Sequence, residues 1–246
     1  MGLNFYQSAV FTELKSQHFS IWQFSMPSDA SPESTRRSWL TWFIGLSFGL
    51  PASFVLGVNL YIMLPSHSPD PGAEPVVGYF AYGSNMNDRY FTRVRGIVRT
   101  SSEMASLPDY TVAFNLDGIP YLEPSFANLA PEKGATAYGV FHRLPAGELD
   151  RVLGSEGDSY NVREVTVYLS DGTTALAKTL ISDPSLDTPT TPSRRYLAYM
   201  HEAALTYGMP PEIVERYNPD KGVYVPVISE LLGAAMHTAV WVFARF

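Results

Sequence analysis

Apolar and polar positions alternate along much of the second half of this chain, and the alternation predicts strands. Val77-Gly78-Tyr79-Phe80-Ala81 is a β-branched and aromatic run that stops at Tyr82-Gly83-Ser84-Asn85, where Gly tolerates φ > 0 and Ser and Asn bond local backbone, so a strand leads into a turn. Asp88 to Ser102 predicts a short helix followed by strand-like Gly96-Ile97-Val98. Tyr110–Asn115 and Ala135–Leu144 alternate as strands. Pro145 suits a first helical turn, and Leu149, Val152 and Leu153 share one apolar face behind it. Asp171-Gly172, between Val162–Ser170 and Thr173–Ser182, predicts a hairpin. Ser193 or Pro192 opens a helix whose stripe is Tyr196, Tyr199, Met200, Ala203 and Tyr207, with Gly208 as its stop. The sum is an α+β fold: a small mixed, mostly antiparallel β-barrel with packed helices.

The first part of the chain reads differently. Residues 1–38 are polar and aromatic without a sustained period, and predict a poorly ordered tail. Residues 39–64 carry no charge, and about 20 apolar residues suffice to cross a bilayer. Trp39, Trp42 and Tyr61 sit near the ends as an aromatic belt would. The expectation is a transmembrane helix ahead of the barrel and a single-pass membrane protein. A buried helix of a soluble domain is the alternative. Arg36 and Arg37 favour a cytoplasmic N-terminus, but there is no Asn-x-Ser/Thr site to support a lumenal domain, and sidedness stays open. Residues 65–75 are a Pro-rich linker, 76–222 the predicted folded domain, and 223–246 an apolar extension, read as a helix at Pro226–Met236 plus a strand or short membrane-associated piece, more simply a core element than a second span.

Composition narrows the function. A net charge of −7 and no Lys/Arg-rich run exclude a nucleic-acid partner. With Cys 0 there is no thiol nucleophile and no thiolate metal site, and the scattered histidines have no ligand spacing, so no metal is expected. No Gly-x-Ser-x-Gly elbow supports a serine hydrolase.

Two segments in order are more specific than either alone. Tyr82-Gly83-Ser84-Asn85 is followed by Leu149-Asp150-Arg151-Val152-Leu153-Gly154-Ser155-Glu156-Gly157, then Tyr160, then the alternating Val162–Val167. Pro192-Ser193-Arg194-Arg195-Tyr196 opens the later helix, before Pro210-Pro211 and Asn218-Pro219-Asp220. This arrangement resembles the γ-glutamyl cyclotransferase family over roughly residues 76–220. The stretch after Asn87 and Asn128-Leu129-Ala130-Pro131 depart from the family pattern, and the apolar segment is unusual for it.

The resemblance implies the same small barrel and a cofactor-free reaction. The free α-amine of a γ-glutamyl compound attacks its own γ-carbonyl, 5-oxoproline forms, and an amine or peptide leaves. It implies Glu156 as the catalytic acid/base, because one carboxylate near apolar walls can both accept and donate a proton. It implies a substrate cradle of Tyr79, Phe80, Ala81, Tyr82, Gly83, Ser84 and Asn85, with the Gly83–Asn85 backbone N–H groups as contacts to the glutamyl carboxylate or γ-carbonyl. Tyr160 would line the pocket and Tyr196 would bond the glutamyl group. Against this stand an ordinary strand end, a solvated helix-end Glu and two core aromatics. Within the family the chain is similar to cyclotransferases of fungal gene clusters for gliotoxin-type sulfur-bridged diketopiperazines, which implies a glutathione adduct as donor. A membrane-tethered module that binds γ-glutamyl ligands without turnover is the competing class, distinguished by loss of the acid/base residue.

Overall fold

The computed structural model describes residues 55, 56, 58–60, 74–155, 160–186 and 188–243. The expected N-terminal tail, most of the expected span and linker, and Glu156 lie outside the described residues.

Strand β1, Val76–Ala81, leads into a 3-10 turn at Ser84–Met86 and a short π-helical turn at Tyr90–Val94. Then come β2 (Ser101–Ile119), β3 (Glu123–Pro145), helix α1 (Ala146–Ser155), β4 (Asn161–Leu169) and β5 (Thr174–Ile181). Helices α2 (Arg194–Thr206), α3 (Pro211–Arg216) and α4 (Ile228–Phe243) follow. The strands close a barrel in the order β1-β3-β2-β4-β5. All pairings are antiparallel except β1 with β5, so the mixed, mostly antiparallel barrel is observed.

The long β2–β3 hairpin has to bend to close such a barrel. Its register shifts between Pro108 and Tyr110 and between Ala113 and Leu116, and Asp109 takes φ 60 at the first shift. Closure also needs β1 to lie tight against its neighbours: a Cβ on Gly78 would stand 2.5 Å from the Leu176 carbonyl oxygen. The core fills from both sides. Phe80, Val140, Leu144 and Val167 are buried inside the barrel strands, and Leu149, Val152, Leu197 and Met200 are buried on helices.

Local chemistry sets the helix ends, with Pro145, expected in the first turn of α1, closing β3 directly before it. Pro75 O accepts the Ala146 N–H at 3.0 Å at the start of α1. The Ser193 hydroxyl oxygen accepts the Tyr196 N–H at 3.0 Å as the N-cap of α2, and Gly208 takes φ 64 beyond its end. The hairpin turn at Asp171-Gly172 forms, with Gly172 at φ 83. Two expectations differ. Residues 96–99 are not a strand, because Arg99 and Arg95 bend inward to polar partners there. The C-terminal segment continues as one helix, α4, instead of a short helix and a strand.

The membrane localisation expected from residues 39–64 is corrected. Among the described residues no helix is long and apolar enough to cross a bilayer. In the described part of the run Val58 and Asn59 meet protein, while Leu56 and Leu60 are exposed. Val58 is buried against Val94, with Tyr90, Val240 and Trp241 around it. The Asn59 side chain donates to Ala234 O at 3.2 Å and to Thr238 Oγ1 at 3.3 Å on α4, partners that a lipid chain does not offer.

Candidate active site

The turn after β1 is tied down from several sides. Met86 N–H donates to Gly83 O and Asn87 N–H to Ser84 O, both at 3.0 Å. Among the described residues the Gly83 and Ser84 N–H groups have no acceptor, and both residues are partly exposed. Asn85 is buried. Its amide donates to the Tyr79 hydroxyl at 3.0 Å, and its Oδ1 accepts from Arg95 Nη1 at 2.9 Å. Tyr79, Phe80, Ala81 and Tyr82 are all buried, so they form the wall beneath the turn. The Tyr82 hydroxyl donates to the Leu180 carbonyl on β5, and the Phe80 carbonyl accepts from the Thr179 hydroxyl at 2.8 Å.

Tyr196 meets the turn from α2. A Cβ on Gly83 would lie 2.7 Å from the Tyr196 hydroxyl, so only glycine lets the two approach this closely. That hydroxyl accepts the Ala127 N–H at 3.2 Å, and the ring stands edge-on to Phe126 at 5.4 Å. Ser193, the cap of the helix carrying Tyr196, donates to the buried Glu123 carboxylate, which Arg195 also pairs. The position of Tyr196 thus rests on a buried ion pair.

Helix α1 is fastened to the segment that follows the turn. Glu148 Oε2 accepts Val98 N–H at 3.1 Å, Arg151 donates to Gly96 O at 3.2 Å, and Arg95 Nη2 donates to the Ser155 hydroxyl. Arg95 is buried and touches both Asn85 and Ser155. It therefore links the Tyr-Gly-Ser-Asn turn to the residue directly before Glu156. Tyr160 is half-buried and packs on the barrel core.

Two residues at this site were not singled out from the sequence. Arg95 lies in Val94-Arg95-Gly96, which carries no motif, and only its burial marks it. His142, on β3, is fully buried behind the turn, its ring stacked on Phe91 at 4.5 Å. Its strand alternation read as core, and nothing in the local pattern separated it from Phe141 or Leu144. Burial, with the Arg99 guanidinium adding to it, lowers its pKa to about 3, so the ring is neutral. Among the described residues no cluster of His, Cys, Asp or Glu can hold a metal ion.

No family model matches the chain. The chain is similar to the γ-glutamyl cyclotransferase verK of Clonostachys rogersoniana, 34% identical over 109 residues, which cover 37% of this chain and 60% of that protein. It is similar to the γ-glutamyl cyclotransferase gliK of Aspergillus fumigatus, 31% identical over 147 residues, 49% of this chain and 54% of that one. The chain thus spans little more than half the length of these relatives. A crystal structure of an uncharacterized human protein aligns with 65% of this chain and 97% of its own at a TM-score of 0.49 and 22% identity. Over these stretches the chain is similar to fungal γ-glutamyl cyclotransferases.

Proposed function

We propose that this chain is a γ-glutamyl cyclotransferase, which releases 5-oxoproline and a free amine or peptide from a γ-glutamyl donor. The observation that carries the reading is the bridge through Arg95, which joins Asn85 of the turn to Ser155, the neighbour of Glu156. The bridge supports reading two segments far apart in the chain as parts of one site, and Tyr196 stands beside the same turn.

The chemistry needs little beyond placement. Nucleophile and electrophile sit in one molecule, so the protein has to hold the glutamyl chain curled, and proximity supplies much of the rate. Glu156 takes a proton from the α-ammonium and returns one to the leaving nitrogen. The partly exposed Gly83 and Ser84 N–H groups are donors for the glutamyl carboxylate or for the oxyanion on the γ-carbon. Tyr196 bonds the glutamyl group and Tyr160 lines the pocket. The donor class in this reading is a glutathione adduct of fungal sulfur-containing toxin synthesis, an extension by likeness to the fungal relatives.

The test is 5-oxoproline release by the full chain from γ-glutamyl-alanine, glutathione and a glutathione S-conjugate. Release that vanishes in folded Glu156→Gln supports the reading, and the preferred donor names the substrate. Ser84→Ala is expected to be milder than Glu156→Ala, because Ser84 acts through its backbone. Binding of the donors without release from any of them overturns the enzyme.

A further inference from the structure

Behind the turn lies a chain of polar side chains, His142, Ser102, Arg99, Asp88 and Tyr207, that the cyclotransferase reading does not use. His142 Nε2 is 3.0 Å from the carbonyl oxygen of Asn85. A carbonyl only accepts, so Nε2 carries the hydrogen. The ring is neutral and has one N–H, so Nδ1 is a lone pair and accepts from the Ser102 hydroxyl at 2.6 Å. The Ser102 oxygen in turn accepts from Arg99 Nη1 at 2.7 Å. Arg99 is held by Asp88, and Tyr207 from just beyond α2 bonds both of them, at 2.9 Å to Arg99. Every donor in the series Arg99, Ser102, His142 points one way, and the series ends on the main chain of the turn.

We propose that His142 is a positioning residue for the cyclotransferase reaction, fixing the Asn85–Met86 peptide plane and with it the donor groups of the Gly83–Asn85 turn. The peptide unit is rigid, so holding the Asn85 oxygen also sets the direction of the Met86 N–H, which closes the turn onto Gly83 O. The Asn85 side chain is held from the other side by Tyr79 and Arg95. Oxygen and side chain are thus each held by partners from the barrel and the turn. Ser102 selects the tautomer, since without its hydroxyl proton the ring is free to carry its hydrogen on Nδ1 and lose its grip on the turn. His142 touches no reacting atom and is not catalytic. The inference rests on the cyclotransferase reading for its consequence, and its structural half stands apart from it.

The experiment compares His142→Phe with His142→Gln in the full chain. Phe keeps the stacking on Phe91 and donates nothing. Gln can donate from its amide to Asn85 O and accept from Ser102. His142→Phe is expected to lower kcat about 10²-fold with little change in KM, as a loosened reacting geometry does, while Gln restores most of it. Amide hydrogen exchange at Met86 and Asn87 is expected to quicken roughly tenfold in the Phe variant, the weight of one lost hydrogen bond. Unchanged exchange overturns the proposal whatever the enzyme does. Faster exchange with unchanged kcat overturns its catalytic consequence. Wild-type chain inactive on all three donors, with exchange faster in the Phe variant, strikes the cyclotransferase reading and leaves the positioning of the turn. Should His142→Phe fail to fold, Ser102→Ala is expected to give the same two changes more weakly, and Ser102→Thr to reverse them.

Discussion

His142 and His237 meet similar surroundings and are wired in opposite ways. Burial lowers the pKa of each to about 3, and a nearby guanidinium, Arg99 for one and Arg195 for the other, adds to the effect. Each packs among rings, Phe91 and Tyr79 for His142, Tyr90 and Tyr199 for His237. Their tautomers differ because their partners differ. His237 Nε2 faces the Tyr199 hydroxyl and Arg195 Nη1, and Arg195 only donates, so Nε2 accepts and Nδ1–H donates to Asn59 Oδ1 at 3.3 Å. His142 carries its hydrogen on Nε2 and gives it to a main-chain oxygen. A side-chain acceptor such as Asn59 does not fix a main-chain peptide plane. A main-chain acceptor does. The same neutral imidazole is therefore a link between α4 and Asn59 in one place and a brace for the site in the other.

Acid breaks both regions at once and has the largest expected effect. The unfolded chain binds protons on these imidazoles below the ordinary 6.5, whereas the folded chain rejects them until about 3. In that window the unfolded state holds more protons, so stability rises with pH and is lost as pH falls from 6.5 toward 3. The limiting slope is about 1.4 kcal/mol per pH unit for each ring. Asp88 adds to the loss at the lower end. Burial pushes its carboxyl up, but hydrogen bonds from Arg99 and Tyr207 outweigh this and hold it below its usual value. Urea unfolding from about pH 3 to about pH 7 is the measurement, and replacing both histidines by Phe is expected to flatten the acid limb.

The next effect sharpens the contrast between a neutral brace and a buried charge. Glu123 is buried and holds both Arg195 and the Ser193 cap of α2. Glu123→Ala leaves a guanidinium without its counter-charge and is expected to cost about 3–5 kcal/mol by urea unfolding at neutral pH. Because this pair sets the start of α2, the variant also shifts Tyr196, and KM rises in what remains folded.

The smallest effect on stability falls in the site itself. Gly83→Ala drives a methyl group against the Tyr196 hydroxyl, which stands 2.7 Å from the site of that carbon. The turn has solvent on one side, so the melting temperature is expected to change little. A displacement of about 1 Å at the reacting centre is expected to slow the release of 5-oxoproline, read as kcat/KM, roughly 10²-fold. A variant as active as the parent would separate Tyr196 from the reaction.

Much of the barrel was legible because its strands obey a period of two and its turns carry their own chemistry. Asp171-Gly172 marked the β4–β5 hairpin, Ser193 the cap of α2, and Leu149 and Val152 the buried face of α1. The length of β2 and β3 was not legible, since bulges at Asp109 and beyond Ala113 interrupt the alternation that identifies a strand. The apolar run of residues 39–64 misled for a related reason. Hydropathy reports that a segment avoids water, and it does not tell a lipid chain from a protein wall. Asn59, a polar position within that run, is bonded to α4.

What the sequence by itself determined was the set of local choices: strand, turn, cap, and the chemical types of Tyr82-Gly83-Ser84-Asn85, Glu156 and Tyr196. These follow from neighbours along the chain. What only the tertiary structure decided was which distant groups meet: Arg95 with Ser155, Gly83 with the Tyr196 hydroxyl, His142 with the Asn85 carbonyl. An arginine or a histidine in an apolar strand or turn has no periodic signature, because its partner is chosen by barrel closure and not by spacing. For His142 burial then fixes the charge and the partners fix the tautomer, and through them the geometry of the turn.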